Sequence, residues 1–118
     1  MRFESFVLLF LILLASSTIN QVISDDWSPI ENISDPYVIS TANFAVIQYN
    51  KQKGETLEFE KLIKGESQVI KDKSQVVIKT YYRLTLSAKS GSSSNNYEAV
   101  VLEQPFEYLR NLTSFKRI

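Results

Sequence analysis

Glu58 and Glu60 stand two residues apart, a spacing that puts both carboxylates on one face of a strand. Such pairs do general acid–base work when their surroundings drive the two pKa values apart. Here Leu57, Phe59 and Lys61 alternate with Glu58, Glu60 and Leu62, so the two carboxylates read as a solvated strand face. Nothing else supplies a reactive centre, because the 118 residues include no cysteine and no histidine. Those absences exclude disulfides, thiolate and imidazole metal sites, cysteine nucleophiles and Ser-His-Asp triads together. Charge is balanced, 13 basic side chains against 13 acidic, which gives no grip on nucleic acid or an anionic membrane. Lys51, Lys53, Lys71, Lys73 and Lys79 are scattered and build no compact anion site. The chain is therefore expected to be no enzyme, and to hold no cofactor and no metal.

What remains is recognition. Ser67-Gln68-Val69-Ile70-Lys71 and Ser74-Gln75-Val76-Val77-Ile78 look like two copies of one segment, offset by seven residues. Such a repeat reads either as an elongated contact loop or as a slipped duplication tolerated as a longer strand pair, since lengthening a loop costs little. Further on, Gln104-Pro105-Phe106-Glu107 sets a rigid aromatic beside a proline. Trp27 and the six tyrosines read as core and sheet packing. Two Asn-x-Ser/Thr sequons, at Asn32 and Asn111, are candidate glycan acceptors; Asn32 lies ahead of a helix start and Asn111 within a strand-like segment.

The elements that position these residues are legible in outline. Asp35-Pro36 starts a helix: the carboxylate caps free N–H groups, and proline at the first position sacrifices no hydrogen bond. Val38, Ala42, Ala45 and Tyr49 then recur at helical spacing, and Asn50 to Gly54 ends the helix with positive charge and a glycine. The expected helix is Asp35 to Lys51. After it come strands: Leu57 to Leu62; a stretch with Tyr82, Leu84, Leu86 and Ala88 on one face; another with Tyr97, Ala99 and Val101; and a last from Tyr108 to Phe115. Ser90 to Asn96 reads as a flexible, solvated loop. A short N-terminal strand around Trp27 to Ile33 belongs at an edge, because Pro29 cannot donate to a ladder. One helix and a four- to five-stranded antiparallel meander make an α+β domain. In a meander alternate hairpins share an end, so the 64–80 loop and the Gln104–Glu107 loop fall side by side, opposite the serine-rich segment.

Trp27-Ser28-Pro29-Ile30, Asp35-Pro36, Phe44-Ala45-Val46, Tyr49-Asn50, Tyr82-Arg83-Leu84, Asn96 to Val101 and Arg110 to Phe115 resemble, in order and spacing, the plant-type cystatins. That resemblance implies a sheet wrapped around a helix and reversible, non-covalent blockade of papain-like cysteine proteases. It implies three contact elements: a trunk with glycine before the Trp, a first hairpin of pattern Gln-x-Val-x-Gly, and a second carrying Pro-Trp. Carried onto this chain, the trunk is Asp25, Asp26 and Trp27. The first loop is Gln75, Val76, Val77, Ile78 and Lys79, or in the other copy Gln68, Val69, Ile70, Lys71 and Asp72. The second loop is Pro105 and Phe106. The departures concentrate here: Asp25-Asp26 replace glycine, Lys79 or Asp72 stands at the loop glycine, and Phe106 replaces Trp. Weakened inhibition is one expectation, and a non-inhibitory binding or storage protein of the same fold is the alternative.

Phe6 to Ala15 is an unbroken apolar run of ten residues behind Met1-Arg2. It is long enough for the core of a secretory signal and far short of the ~20 residues that span a bilayer. Cleavage is expected between residues 17 and 24, after Ser17 or after Ser24, with residues 25–118 as the folded domain. A signal anchor is the rival. The expected product is a secreted monomer with papain-like proteases as partners.

Overall fold

The computed structural model describes residues 22–24 and 26–118; the leader reading on residues 1–21, and Asp25, lie outside the described residues. The elements in order are β1 (Val22–Ser24), β2 (Ser28–Pro29), α1 (Pro36–Lys53), β3 (Glu58–Asp72), β4 (Val77–Ser90), β5 (Ser93–Gln104), a 3-10 turn (Pro105–Glu107) and β6 (Leu109–Arg117). Strands β3 to β6 form an antiparallel meander, and β1 and β2 share the outer edge of β3 end to end. The result is an α+β fold of one helix packed on a sheet five strands wide.

The helix ends are local chemistry. Asp35 Oδ1 accepts the Tyr37 N–H at 2.8 Å, Pro36 occupies the first position, and Gly54 closes the helix at φ +67°. Val38, Thr41, Ala42, Ala45 and Val46 are its buried stripe. Ala42 and Ala45, fully buried, let the helix approach the sheet, where Leu84, Leu86, Ala88, Tyr97, Ala99 and Val101 receive it. Each buried Leu or Val contributes about 1.5–3 kcal/mol relative to exposure. Asn50 clamps the helix end to the start of the sheet: its Nδ2 donates to Leu57 O at 2.9 Å and its Oδ1 accepts from Leu57 N at 3.0 Å. Tyr49 stacks on Phe115 with centroids 4.2 Å apart, tying the same helix to β6.

Two expectations are corrected. Simple alternation from Leu57 and Phe59 points Lys61 at the helix, yet Leu62 is the buried residue and Lys61 is exposed. The β3–β4 register shifts between Phe59 and Lys61, and again between Leu62 and Lys64. Each bulge reverses strand parity, so Leu62 and then Gly65 turn inward in place of two lysines. A further shift, opposite Val100–Val101, does the same in β6 and lets Leu112 and Phe115 both meet the core. The second correction concerns Ser90 to Asn96, which is ladder and not loop. β4 and β5 pair down to Ser90↔Ser93 around a two-residue turn with Gly91 at φ +61°. Apart from the half-buried Asn95, the residues of this stretch are exposed, and their small side chains leave backbone pairing unhindered.

Candidate functional site

The β3–β4 turn and the β5–β6 connection lie at one end of the sheet, and the Gly91 turn lies at the other. The first hairpin reaches further. β4 begins at Val77, but its pairing with β5 starts only at Thr80↔Glu103, so Val77 to Lys79 extend past the neighbouring strand. The repeated segments account for this reach. The first copy lies in the β3 ladder, with Gln68 opposite Tyr81, Val69 opposite Thr80 and Ile70 opposite Lys79, and it meets the second copy only where Lys71 stands opposite Val77.

The tip is built around one carboxylate. Asp72 Oδ1 accepts from Ser74 N at 2.8 Å, Ser74 Oγ at 2.6 Å and Val76 N at 3.1 Å. Gln75 N donates to Asp72 O, and Asp72 N donates to Val76 O. The Ser74 hydroxyl, followed by the Val76 N–H, holds the Asp72 carboxyl below the usual aspartate value. Gln75 sits at φ +70°, the left-handed region, and is exposed, as is Val76.

The sequence-derived candidates are therefore distributed. Gln75 and Val76 occupy the tip; Val77, Ile78 and Lys79 are strand residues of β4. Gln68, Val69, Ile70 and Lys71 lie in β3, and Asp72 organises the turn that carries the other copy. Glycine's special freedom belongs to Gln75 and not to Lys79, whose backbone is ordinary strand.

At the second connection the 3-10 turn ends on Tyr108 at φ +51°, whose N–H donates to Pro105 O at 3.3 Å. This turn presents Phe106 at 69% exposure and Tyr108 at 96%. Beside them an open groove of about 530 Å³ is lined by Tyr37, Phe44, Pro105, Tyr108 and Leu109. Arg110 forms its floor, with its guanidinium 5.0 Å from the Tyr37 ring centroid and 3.8 Å from Glu103 Oε2. Tyr108 and the groove were missed in the sequence, because Tyr108 reads as the start of a strand.

Trp27 is placed away from both tips. Its indole lies under Arg83, whose Nε and Nη2 donate to Glu66 Oε1 at 2.9 and 2.7 Å. Asp26 is exposed beside it. Glu60, one of the paired carboxylates, accepts from Ser87 Oγ at 2.7 Å, and that bond holds its pKa down. It is a structural acceptor. Asn32 and Asn111 both have exposed side chains. Among the described residues no cluster of carboxylates could hold a metal ion, and no helix is long and apolar enough to cross a membrane.

Sequence comparison agrees with this architecture. The family described as SQAPI, aspartic acid proteinase inhibitor, matches residues 30–118. Cysteine proteinase inhibitor 1 of Actinidia chinensis var. chinensis is 40% identical, over 83% of this chain and 78% of the relative. Cysteine proteinase inhibitor 5 of Arabidopsis thaliana is 43% identical, over 76% of this chain and 69% of its own. Cysteine proteinase inhibitor 6 of Oryza sativa subsp. japonica is 32% identical across 90% of both.

Proposed function

This chain belongs to the cystatin-like family of plant proteinase inhibitors, which are not enzymes, and from that premise we propose that it is a secreted, reversible, non-covalent inhibitor of papain-like cysteine proteases. The observation that carries this reading is the exposed placement of Gln75-Val76 and Phe106 at the same end of the sheet, the first on a turn held by the Asp72 carboxylate and the second on a 3-10 turn closed by Tyr108. Rigid loops lose little conformational entropy on docking, so their apolar surface converts efficiently into affinity. The names of the relatives support the target class. Inhibition is weakened by Phe106 in place of the larger indole and by the charge at Lys79, which must be desolvated or reach out of the contact.

A second reading, inhibition of an aspartic protease, is favoured by the description of the matching family. Lys71, Lys73 and Lys79 on the projecting hairpin suit an acidic cleft. The apolar leader and the exposed Asn32 and Asn111 fit a secreted, glycosylated monomer with a role in plant defence.

One titration separates these readings. The secreted protein is added to papain and, in parallel, to a pepsin-type enzyme. Papain activity lost in proportion to inhibitor and regained on dilution supports the first reading, and loss of pepsin-type activity alone supports the second. Full activity of both at micromolar inhibitor replaces them with a non-inhibitory binding or storage protein.

A further inference from the structure

Two short strands line the outer edge of β3, and their registers do not run on from each other. β1 pairs Val22↔Asp72, Ile23↔Lys71 and Ser24↔Ile70, whereas β2 pairs Ser28↔Ser67 and Pro29↔Glu66. Three residues separate Ser24 from Ser28, but only two separate Ser67 from Ile70. β1 and β2 therefore take successive stretches of the same β3 edge, one residue out of register with each other.

The edge that receives β1 consists of Ile70, Lys71 and Asp72, at the end of β3 that the repeat lengthens. Taking out one seven-residue copy would remove that platform. Asp72 donates its backbone N–H across the hairpin to Val76. Strand alternation then turns the peptide groups of Lys71 outward, to Ile23.

We infer that the leader is cut between Ser17 and Thr18, and that Val22–Ser24 stay in the mature protein as the outer strand of the lengthened first hairpin. Ala15, the last residue of the apolar run, and Ser17, two residues beyond it, supply the small residues such a cut requires. A cut after Ser24 would discard β1 and leave the far end of β3 as a bare edge, open to pairing with another chain. With β1 retained, the N-terminal segment and the hairpin meet a partner as one three-stranded blade. The inference rests on the secretory-leader part of the proposed function and is independent of inhibition.

The test uses the full-length chain secreted from plant or yeast cells. N-terminal sequencing is expected to find Thr18 as the first residue, and any start after Val22 overturns the retention of β1. A start at Asp25 overturns the inference while leaving secretion intact, and a start at Met1 overturns both. Amide exchange on the same material reads the pairing. Ile23→Pro removes the backbone donor that faces the Lys71 carbonyl and so unseats β1, and it is expected to speed exchange of the Lys71 amide at least tenfold, roughly the loss of one ladder hydrogen bond. Leu84 to Leu86 are expected to stay unchanged, and Ile23→Ala to behave as the parent. Equal exchange at Lys71 in the parent and Ile23→Pro overturns the inference.

Discussion

Arg83 lies over the Trp27 ring, 4.2 Å from its centroid, while the same guanidinium holds Glu66. The sandwich fastens the N-terminal segment to the outer face of the sheet, where β2 contributes only two ladder residues. Trp27→Ala is expected to lower stability by about 1 kcal/mol, a cation–π contact at a partly exposed site plus its apolar area. It should also speed amide exchange at Ile30. Trp27→Phe should recover about half, and thermal unfolding of the three proteins decides the matter.

Gly65 answers to space and not to backbone freedom. A Cβ there would stand 2.8 Å from Leu84 Cδ2 and 3.0 Å from Ile30 Cδ1. Leu84 is fully buried, so its side chain must repack against the core to make room. Gly65→Ala should therefore cost about 1–3 kcal/mol through overpacking. A denaturant midpoint equal to that of the parent would contradict this account.

The positive φ at Gln75 makes it the residue that glycine would relieve. Gln75→Gly is expected to stabilise the hairpin, gaining up to about 1 kcal/mol where an L-residue is held in the left-handed region. Lys79→Gly, in regular strand, should destabilise by about 0.5–1 kcal/mol. Opposite signs in thermal unfolding are the outcome to look for.

Asp72 gives the first hairpin a pH dependence whose sign follows from its lowered pKa. Protonation removes an acceptor that holds three hydrogens. The stabilisation is complete above the ordinary aspartate pKa and is lost as pH falls through the depressed folded value. The amide shifts of Ser74 and Val76 should hold steady from neutrality to about pH 4 and change below it. In Asp72→Asn that acid transition should vanish.

Phe106 and Tyr108 are both exposed on the second connection, so truncating them tests contact with little effect on folding. Phe106→Ala and Tyr108→Ala should each raise the inhibition constant about tenfold, the size of a moderate interface anchor, about 1.4 kcal/mol. Thermal stability should stay within about 0.5 kcal/mol of the parent. Inhibition untouched by both changes would move the contact surface elsewhere.

Asp35, Pro36 and Gly54 determine the helix from the sequence alone, because capping and left-handed closure involve atoms only a few bonds away. Tyr82, Leu84, Leu86 and Ala88 likewise declare one face of β4 by alternation, and the meander then brings the two contact loops to one end. Tertiary structure decided what depends on a partner strand. Leu62, and not Lys61, turns inward because a bulge opposite β4 lets the sheet bury a leucine and leave a lysine in water. The two repeated segments were indistinguishable as sequence, since each carries the same Gln-Val pattern. Pairing separated them: Asp72 can close the turn only at its own position, which leaves Gln75 and Val76 at the tip and puts Gln68 to Lys71 in the ladder beneath. The Ser90 to Asn96 stretch shows the same limit from the other side. Its composition is that of a loop, but backbone hydrogen bonding is indifferent to small exposed side chains once Gly91 has turned the chain back on itself.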